Sequence, residues 1–326
     1  MTDLNISIFK ERRAKVASQM ESNSILMLCS SNIVPRNNDT TFPFRQDSNF
    51  FYLTGFNEPN SVMLLKSDGT AYIFCRNKNP ELEKWDGFMW GYQAAADEFN
   101  FDDGFDINDI DQLAPQIING TSTVYALVGK NKDFDQQVIK WITAANSMER
   151  HQANIDLKNF SNQLGMMRLV KEDSELSLMR KSCEIAALTH KAVISMAKVG
   201  MSEFDLETMY LNEFKSHGSK DISYTPIVAG GERACILHYI DNNQPIADGE
   251  LVLVDAGCEW GLYASDITRT YPINGKFSAE QRAVYDIVLE AHIKACEAIQ
   301  IGANCTDPQK ASELSLSQGL KDLGFL

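Results

Sequence analysis

The amino-acid sequence predicts an α/β protein, with features of the α+β class, built from two domains. Segments typical of strands and helices alternate through about the first 150 residues, which indicates a mixed α/β domain. Later in the chain, the unbroken aliphatic run from Leu251 to Val254 is typical of a strand that is buried on both faces. A chain of 326 residues is also long for a single hydrophobic core. We therefore expect one domain over residues 1–160 and a second over residues 161–326.

The first domain contains a hairpin with a clear turn signal, Ser67-Asp68-Gly69-Thr70, between two β-rich runs. A polar stretch that contains proline, residues 32–49, predicts an irregular loop. The aromatic stretch from Glu81 to Ala96 predicts either core anchors or an exposed aromatic face of the kind on which partner chains dock. In chain order, the regular elements predicted here are helix Phe9–Met20, strands Ile25–Cys29, Val62–Leu65, Ala71–Cys75 and Val124–Val128, and helix Phe134–Ala145.

The second domain is expected to follow a polar, weakly periodic stretch, His151 to Gly165. An apolar stripe with helical spacing then predicts a long helix from Ser174 to Val199. Its His190, and His217 at the end of the next helix, are predicted to be structural residues rather than metal ligands. Three capping boxes predict helix starts: Ser202 with Asp205, Ser278 with Gln281, and Thr306 with Gln309. Between the first two boxes, the sequence predicts a strand, Tyr224–Val228, followed by a loop, Ala229–Glu232.

Two aspartates belong to a predicted antiparallel hairpin in this domain. Asp255 ends the aliphatic run, and Asp266 lies within a second apolar and β-branched segment, Leu262 to Ile273. With the turn centred between Trp260 and Gly261, the two aspartates lie directly opposite one another. Opposed Cβ atoms are about 4.5–5.5 Å apart, a separation at which two like charges destabilise a hairpin.

Three arrangements are compatible with such an acid pair. The carboxylates can share one proton as a dyad, because two adjacent carboxylates resist joint ionisation. They can instead bind a pair of divalent cations about 3.5–4 Å apart. The third arrangement is a solvated surface hairpin in which a bulge shifts the register and the two acids are unrelated. Spacing alone does not distinguish the three.

Four motifs occur in a fixed order along the chain: FRQDSNFFYLTGFNEP at 44–59, CILHY at 235–239, VDAG at 254–257 and SDITRT at 265–270. The first resembles the N-terminal domain of the Xaa-Pro aminopeptidases, also called aminopeptidase P. The other three resemble the substrate-histidine and metal-ligand motifs of the pita-bread metallopeptidases. The resemblance extends from about Phe9 to the last residue.

This resemblance implies an N-terminal domain of the creatinase and aminopeptidase P type, followed by the first half of a pita-bread catalytic domain. It also implies an enzyme that releases the N-terminal residue from peptides with proline in the second position, using hydroxide activated by two manganese ions. Asp255 and Asp266 are the implied metal ligands, and His238 is the implied catalytic residue that hydrogen-bonds the substrate or the developing oxyanion. Trp85 is the implied substrate contact, in a region that approaches a neighbouring subunit's active site in the family. A homo-oligomer is implied when the protein is intact.

Two other functions are compatible with the sequence. The family uses five metal ligands, and its histidine and two glutamates correspond to positions beyond Leu326, so we expect the 326-residue chain by itself to be inactive and to self-associate. A non-catalytic pita-bread protein that binds peptides or other proteins is therefore the alternative. A creatinase-like protein that works without metal is disfavoured because both Asp255 and Asp266 are present.

Composition excludes several classes of partner. The formal net charge is -14, and the Lys and Arg residues form no long run, which argues against nucleic-acid binding. No apolar run is long enough for a signal peptide or a membrane span, so we expect a cytoplasmic protein without a membrane partner. The cysteines form no CxxC motif and most lie in apolar contexts, which favours reduced, buried thiols.

Overall fold

The computed structural model describes residues 5–148 and 154–326. It divides the chain into two compact units, Met1–Leu176 and Ser177–Leu326. Both units combine helices with strands, so the predicted α/β class is confirmed. Residues 151–153 of the predicted boundary region lie outside the described residues, and the domain boundary at residue 160 stays a prediction.

The helices of the described chain are α1 Ser7–Gln19, α2 Ser48–Thr54, α3 Pro80–Asp86, α4 Tyr92–Glu98, α5 Ile110–Ile118, α6 Lys132–Asn146, α7 Ser161–Leu169, α8 Asp173–Met196, α9 Glu203–Ser216, α10 Ala279–Glu297 and α11 Asp307–Asp322. The strands are β1 Ser24–Cys29, β2 Pro35–Asn37, β3 Thr40–Thr41, β4 Val62–Lys66, β5 Ala71–Cys75, β6 Asp103–Asp106, β7 Thr123–Ala126, β8 Asp156–Asn159, β9 Asp221–Ile222, β10 Ile227–Gly230, β11 Leu251–Ala256, β12 Cys258–Trp260, β13 Tyr263–Ala264 and β14 Ile267–Pro272.

The first unit is built on a six-stranded sheet with the order β6-β5-β4-β1-β7-β8. Its central strand β1 pairs antiparallel with β4 and parallel with β7. Because side chains alternate along a strand, Leu26 packs with α1, α2 and α4 on one face, while Met27 packs with α5 and α6 on the other. The predicted β4–β5 hairpin is confirmed, with Val62 opposite Phe74. The predicted irregular loop contains the short β2–β3 hairpin, and α2 begins within it at Ser48.

The second unit places α8 and α9 against a three-stranded antiparallel sheet with the order β10-β11-β14. Val252, Val254 and Ala256 of β11 are fully buried in this core. The alternate residues Leu251, Leu253 and Asp255 are only half-buried. The prediction that this strand is buried on both faces is therefore wrong. Its purely aliphatic sequence hides the alternation, because Leu251 and Leu253 are as apolar as their buried neighbours.

Local signals placed most helix starts in the second unit correctly. The capping boxes of Ser202 with Asp205 and of Ser278 with Gln281 are both present. The third predicted box is wrong: the Thr306 side chain makes no cap, and the Asp307 carboxylate instead accepts a hydrogen bond from the N–H of Asn304. None of the helices in the described part of the chain is long and apolar enough to cross a membrane.

The predicted strand and loop before the aspartate hairpin are displaced in the structure. The strand predicted at Tyr224–Val228 is β10, which begins at Ile227 and continues to Gly230. Ala229 and Gly230 are therefore strand residues rather than loop residues. The reason is pairing: Ala229 lies opposite Leu253 and Gly230 opposite Val252, so β11 extends the strand into its glycine. The chain leaves the sheet only at the short 3-10 helix Gly231–Cys235.

Candidate functional site

The aspartate hairpin differs from the predicted one by its turn. Trp260 pairs with Tyr263, so the turn residues are Gly261 and Leu262, with φ of 60° and 65°. Two central residues in the left-handed region are typical of a tight hairpin turn. Leucine rarely adopts this conformation, so no sequence pattern predicted a turn at Leu262. As a result Asp255 lies opposite Thr268, and the prediction that it directly opposes Asp266 is wrong.

The two aspartates nevertheless lie on one face of the hairpin. Asp266 lies two residues before Thr268, and residues two apart along a strand point to the same side. Both carboxylates reach one hydroxyl: Tyr224 Oη lies within hydrogen-bonding distance of Asp255 Oδ1 and 3.0 Å from Asp266 Oδ1. The prediction that the two acids share one face is therefore confirmed by their contacts. Asp255 is half-buried, and Asp266 is exposed.

Tyr224 is a residue of this acid pair that sequence reasoning missed. It precedes β10, and the pairing of Ile227 with Asp255 brings this part of the chain alongside the hairpin. Burial, together with the neighbouring Asp255 carboxylate, raises the pKa of the Tyr224 phenol above its ordinary value of 10.0. The phenol therefore stays protonated and remains a hydrogen-bond donor at neutral pH.

A buried polar pair supports the strand from the core side. His190 Nε2 lies 3.3 Å from the carbonyl oxygen of Ala256, and its Nδ1 lies 3.0 Å from the Tyr210 hydroxyl. Burial lowers the pKa of His190 below its ordinary value of 6.5, which favours the neutral ring. A neutral ring can donate from Nε2 and accept at Nδ1, which satisfies both contacts. His190 thus lies in the core, as predicted, and holds the backbone next to Asp255.

His238 lies on a surface loop, residues 231–244, that we name the His238 loop. The side chain of His238 is exposed in a turn that follows the 3-10 helix. The preceding Leu237 is 87% exposed, so this apolar-looking stretch is not part of the core. A lone histidine in an apolar run is usually a core residue, but His238 is not one. An exposed imidazole is free to meet a ligand from solution.

The His238 loop is held by one buried carboxylate, that of Glu203 at the start of α9. Glu203 is 0% exposed and receives four hydrogen bonds. The donors are the N–H of Gly230 at 2.8 Å, Arg233 Nε at 2.7 Å, the Tyr239 hydroxyl at 2.8 Å and the N–H of Gln244 at 3.0 Å. Since these donors span both ends and the middle of the loop, Glu203 fixes the path of the chain on either side of His238.

Acid is expected to destabilise this arrangement. Burial alone would raise the pKa of Glu203, but the hydrogen bonds it accepts outweigh burial, so its pKa lies below the ordinary value of 4.5. The ionised carboxylate therefore stabilises the fold fully above about pH 4.5, and this stabilisation is lost as the pH falls through the lowered folded value. Urea unfolding midpoints measured from about pH 7 to about pH 3 should fall less steeply in Glu203→Gln than in the wild type.

Two further comparisons complete that experiment. At neutral pH, Glu203→Gln should be less stable by about 2 kcal/mol or more, because Arg233 loses its charged partner. Glu232→Gln removes an exposed carboxylate from the same loop, and its unfolding midpoint should depend on pH as that of the wild type does. If the unfolding midpoint of Glu203→Gln fell with decreasing pH as steeply as that of the wild type, the role assigned to this carboxylate would be contradicted.

Trp85 lies on α3 of the first unit and is 87% exposed. The neighbouring Phe88 is also exposed, and it packs edge-on against Trp90 with ring centroids 5.1 Å apart. The alternative of a packed core tryptophan is therefore wrong, and this stretch presents an exposed aromatic face. The substrate contact assigned to Trp85 stays a prediction.

Among the described residues, the candidate metal ligands at this site are the carboxylate oxygens of Asp255 and Asp266. Within residues 5–148 and 154–326, no group of three or more His, Cys, Asp or Glu side chains could hold a metal. Asp255 and Asp266 nevertheless fit a divalent cation, because two carboxylates that converge on one side of a hairpin present adjacent oxygen ligands.

A separate cavity of about 140 Å³ lies in the first unit, beside the ends of β1 and β7. Its lining includes Cys29, Asp47, Lys130 and Asn131, and none of the four predicted site residues. Two of its charged groups are paired with each other, since Lys130 Nζ lies 2.6 Å from Asp47 Oδ2. The cavity therefore adds nothing to the acid pair.

Comparisons with known proteins agree with this arrangement. Residues 177–325 match Metallopeptidase family M24, and residues 9–125 match the N-terminal domain of aminopeptidase P. The chain is 40% identical to the Xaa-Pro aminopeptidase of Haemophilus influenzae, with 98% of this chain and 73% of that protein covered. It is 35% identical to the Escherichia coli Xaa-Pro aminopeptidase, with 100% of this chain and 75% of that protein covered.

Solved structures give the same result. Aminopeptidase PepP of Pseudomonas aeruginosa superposes with a TM-score of 0.97 at 39% identity, covering 100% of this chain and 75% of that one. A zinc-substituted Escherichia coli aminopeptidase P in complex with product superposes with a TM-score of 0.95 at 35% identity, covering 99% of this chain and 75% of that one.

The fold, the acid pair and these matches define the class of the protein as a metallopeptidase, with an N-terminal aminopeptidase P domain preceding an M24 catalytic domain. Within that class, the chain belongs to the Xaa-Pro aminopeptidase family, because relatives of that name match it over nearly its whole length.

Proposed function

We propose that this protein removes the N-terminal residue from peptides whose second residue is proline, on a catalytic domain of the pita-bread fold. The observation that carries the proposal is the convergence of Asp255 and Asp266 on one face of their hairpin, in a chain of this family. Two adjacent carboxylates are costly unless a proton, a donor or a cation compensates them. A hydrolytic metal centre gives them a function.

Asp255 and Asp266 would hold two divalent ions, for which we propose Mn²⁺. Carboxylate oxygens suit Mn²⁺ better than they suit softer metals, which prefer thiolates. When bound, the ions would acidify a water molecule and polarise the scissile carbonyl group. The two carboxylates would contribute the negative charge that keeps the cations in place.

His238 would donate a hydrogen bond to the peptide or to the oxygen on which charge develops. The His238 loop supports this role, because its anchors to Glu203 hold the backbone while the imidazole stays exposed. Trp85 would add an apolar contact to the peptide from a neighbouring subunit, in a homo-oligomer. Its exposure on α3 leaves the indole ring available for such a contact.

A non-catalytic protein that binds peptides is the second candidate. The observation in its favour is that the described residues hold two carboxylates and no third ligand close to them. Two carboxylates leave most coordination positions of a cation to water, so binding is weak.

Peptide cleavage by the native protein, as isolated from cells, tests the proposed function. With added Mn²⁺, we expect release of the first residue from an Xaa-Pro peptide and none from the matched Xaa-Ala peptide. Peptide binding without release would favour the second candidate. Equal cleavage of both peptides would contradict the specificity for proline.

The variant His238→Gln separates substrate binding from metal binding. We expect turnover to fall by roughly 100-fold or more, a loss typical of removing one donor to a developing oxyanion. Metal content should remain at the wild-type level, because His238 is not proposed as a ligand. Metal analysis of purified wild type and variant checks this. Loss of metal in proportion to activity would show that the imidazole is a ligand after all.

A further inference from the structure

We infer that Tyr224 is a positioning residue for the acid pair, and that its hydroxyl holds the Asp255 and Asp266 carboxylates together before a cation arrives. This inference rests on the proposed metal function of the two acids. Its starting point is that a single hydroxyl oxygen contacts one oxygen of each carboxylate. Without such a donor, like charges on one face of a hairpin would drive the two side chains apart.

The position of Tyr224 is fixed by its neighbour in sequence. The Ser223 N–H donates to the carbonyl oxygen of Gly257 at 3.0 Å, and the Ser223 hydroxyl donates to that of Ser265 at 2.7 Å. Gly257 and Ser265 belong to the two different arms of the hairpin, close to the two aspartates. The backbone beside Tyr224 is thus tied to both arms, which places its phenol between the two carboxylates.

The hydroxyl leaves coordination capacity for a cation. Each carboxylate has two oxygens, and Tyr224 contacts only the Oδ1 atom of each. Its one proton can be donated to one carboxylate at a time, so it orients the pair without neutralising either member. Groups that orient metal ligands in this way usually contribute about 10–100-fold to metal affinity.

The variant Tyr224→Phe removes the hydroxyl and keeps the ring. We expect Mn²⁺ affinity to fall by about 10–100-fold, measured from the electron paramagnetic resonance signal of free Mn²⁺ during titration of the native protein. Circular dichroism and the unfolding midpoint should stay close to those of the wild type. Tyr285→Phe deletes the same atom from α10, away from the acids, and should keep the wild-type affinity.

The combination with Asp255→Asn separates this inference from the proposed function. If Tyr224 acts through the acids, its effect on Mn²⁺ affinity should shrink when Asp255 is already neutral. Loss of affinity in Asp255→Asn with unchanged affinity in Tyr224→Phe would overturn the role of Tyr224 alone. Unchanged affinity in Asp255→Asn would overturn the metal function itself. A Tyr224→Phe protein that fails to fold, or is less stable at unchanged affinity, would show that the hydroxyl is structural and would also overturn the inference.

Discussion

Asparagine in place of Asp255 is expected to abolish tight Mn²⁺ binding and, with it, peptide cleavage. The substitution keeps the shape of the side chain and removes the negative charge on which cation binding depends. The loss in affinity should exceed the roughly 10–100-fold that is typical of residues that only orient a ligand. Isothermal titration of the native protein with Mn²⁺ measures the change. Asp266→Asn should behave in the same way.

The metal-free stability of Asp255→Asn gives an independent check. Removing one of two like charges on the same hairpin face should leave the free energy of unfolding unchanged or raise it by up to about 1 kcal/mol. Asp221→Asn, which neutralises an exposed carboxylate on β9, should retain both metal binding and cleavage. Wild-type Mn²⁺ affinity in Asp255→Asn would show that this side chain is not a ligand.

Alanine in place of Gly257 is expected to lower both stability and Mn²⁺ affinity, and it acts through the backbone. A Cβ atom at Gly257 would lie 1.9 Å from the carbonyl oxygen of Ser265, so the two arms of the hairpin would have to separate. Overpacking of this kind usually costs about 1–3 kcal/mol, and a clash with backbone cannot be relieved by a side-chain rotation. The aspartates lie on either side of this contact, so Mn²⁺ affinity should fall together with stability.

Urea unfolding of Gly257→Ala measures this cost. The matched control is Gly165→Ala within α7, where an added Cβ meets nothing within 4 Å. That substitution should stabilise the protein by about 0.5–1 kcal/mol, because alanine loses less conformational freedom in a helix than glycine does. The same chemical change should therefore have opposite signs at the two sites. An unchanged midpoint in Gly257→Ala would show that the hairpin can widen without cost.

Local sequence signals identified much of the fold and both aspartates. Capping boxes located the starts of α9 and α10, and the Asp68-Gly69 turn located the β4–β5 hairpin. Each of these features depends on residues close together in sequence, so a few consecutive residues are enough to predict it. The shared face of Asp255 and Asp266 was also accessible, because a register error of two residues leaves every side chain on its original face.

Features that depend on long-range packing could not be predicted in this way. The turn at Leu262 uses a backbone conformation that its own side chain disfavours. Tyr224 reaches the two aspartates because β10 pairs with β11, and no local sequence pattern predicts that contact. Glu203 looks from sequence like an ordinary acid in the first turn of a helix, where the helix dipole favours negative charge. Its burial beneath the His238 loop follows from tertiary structure alone.

The four hydrogen bonds that converge on Glu203 have a consequence for how the His238 loop moves. Gly230 is the strand residue immediately before the loop, Gln244 is the last residue of the loop, and the other two donors lie between them. Because all four donors share one acceptor group, movement of that carboxylate would release the loop at four points at once. Its amide hydrogens should exchange with solvent as one cooperative unit, with a single opening free energy below that of the surrounding core. The imidazole of His238 is thus held in position while the loop is anchored and released when the loop opens.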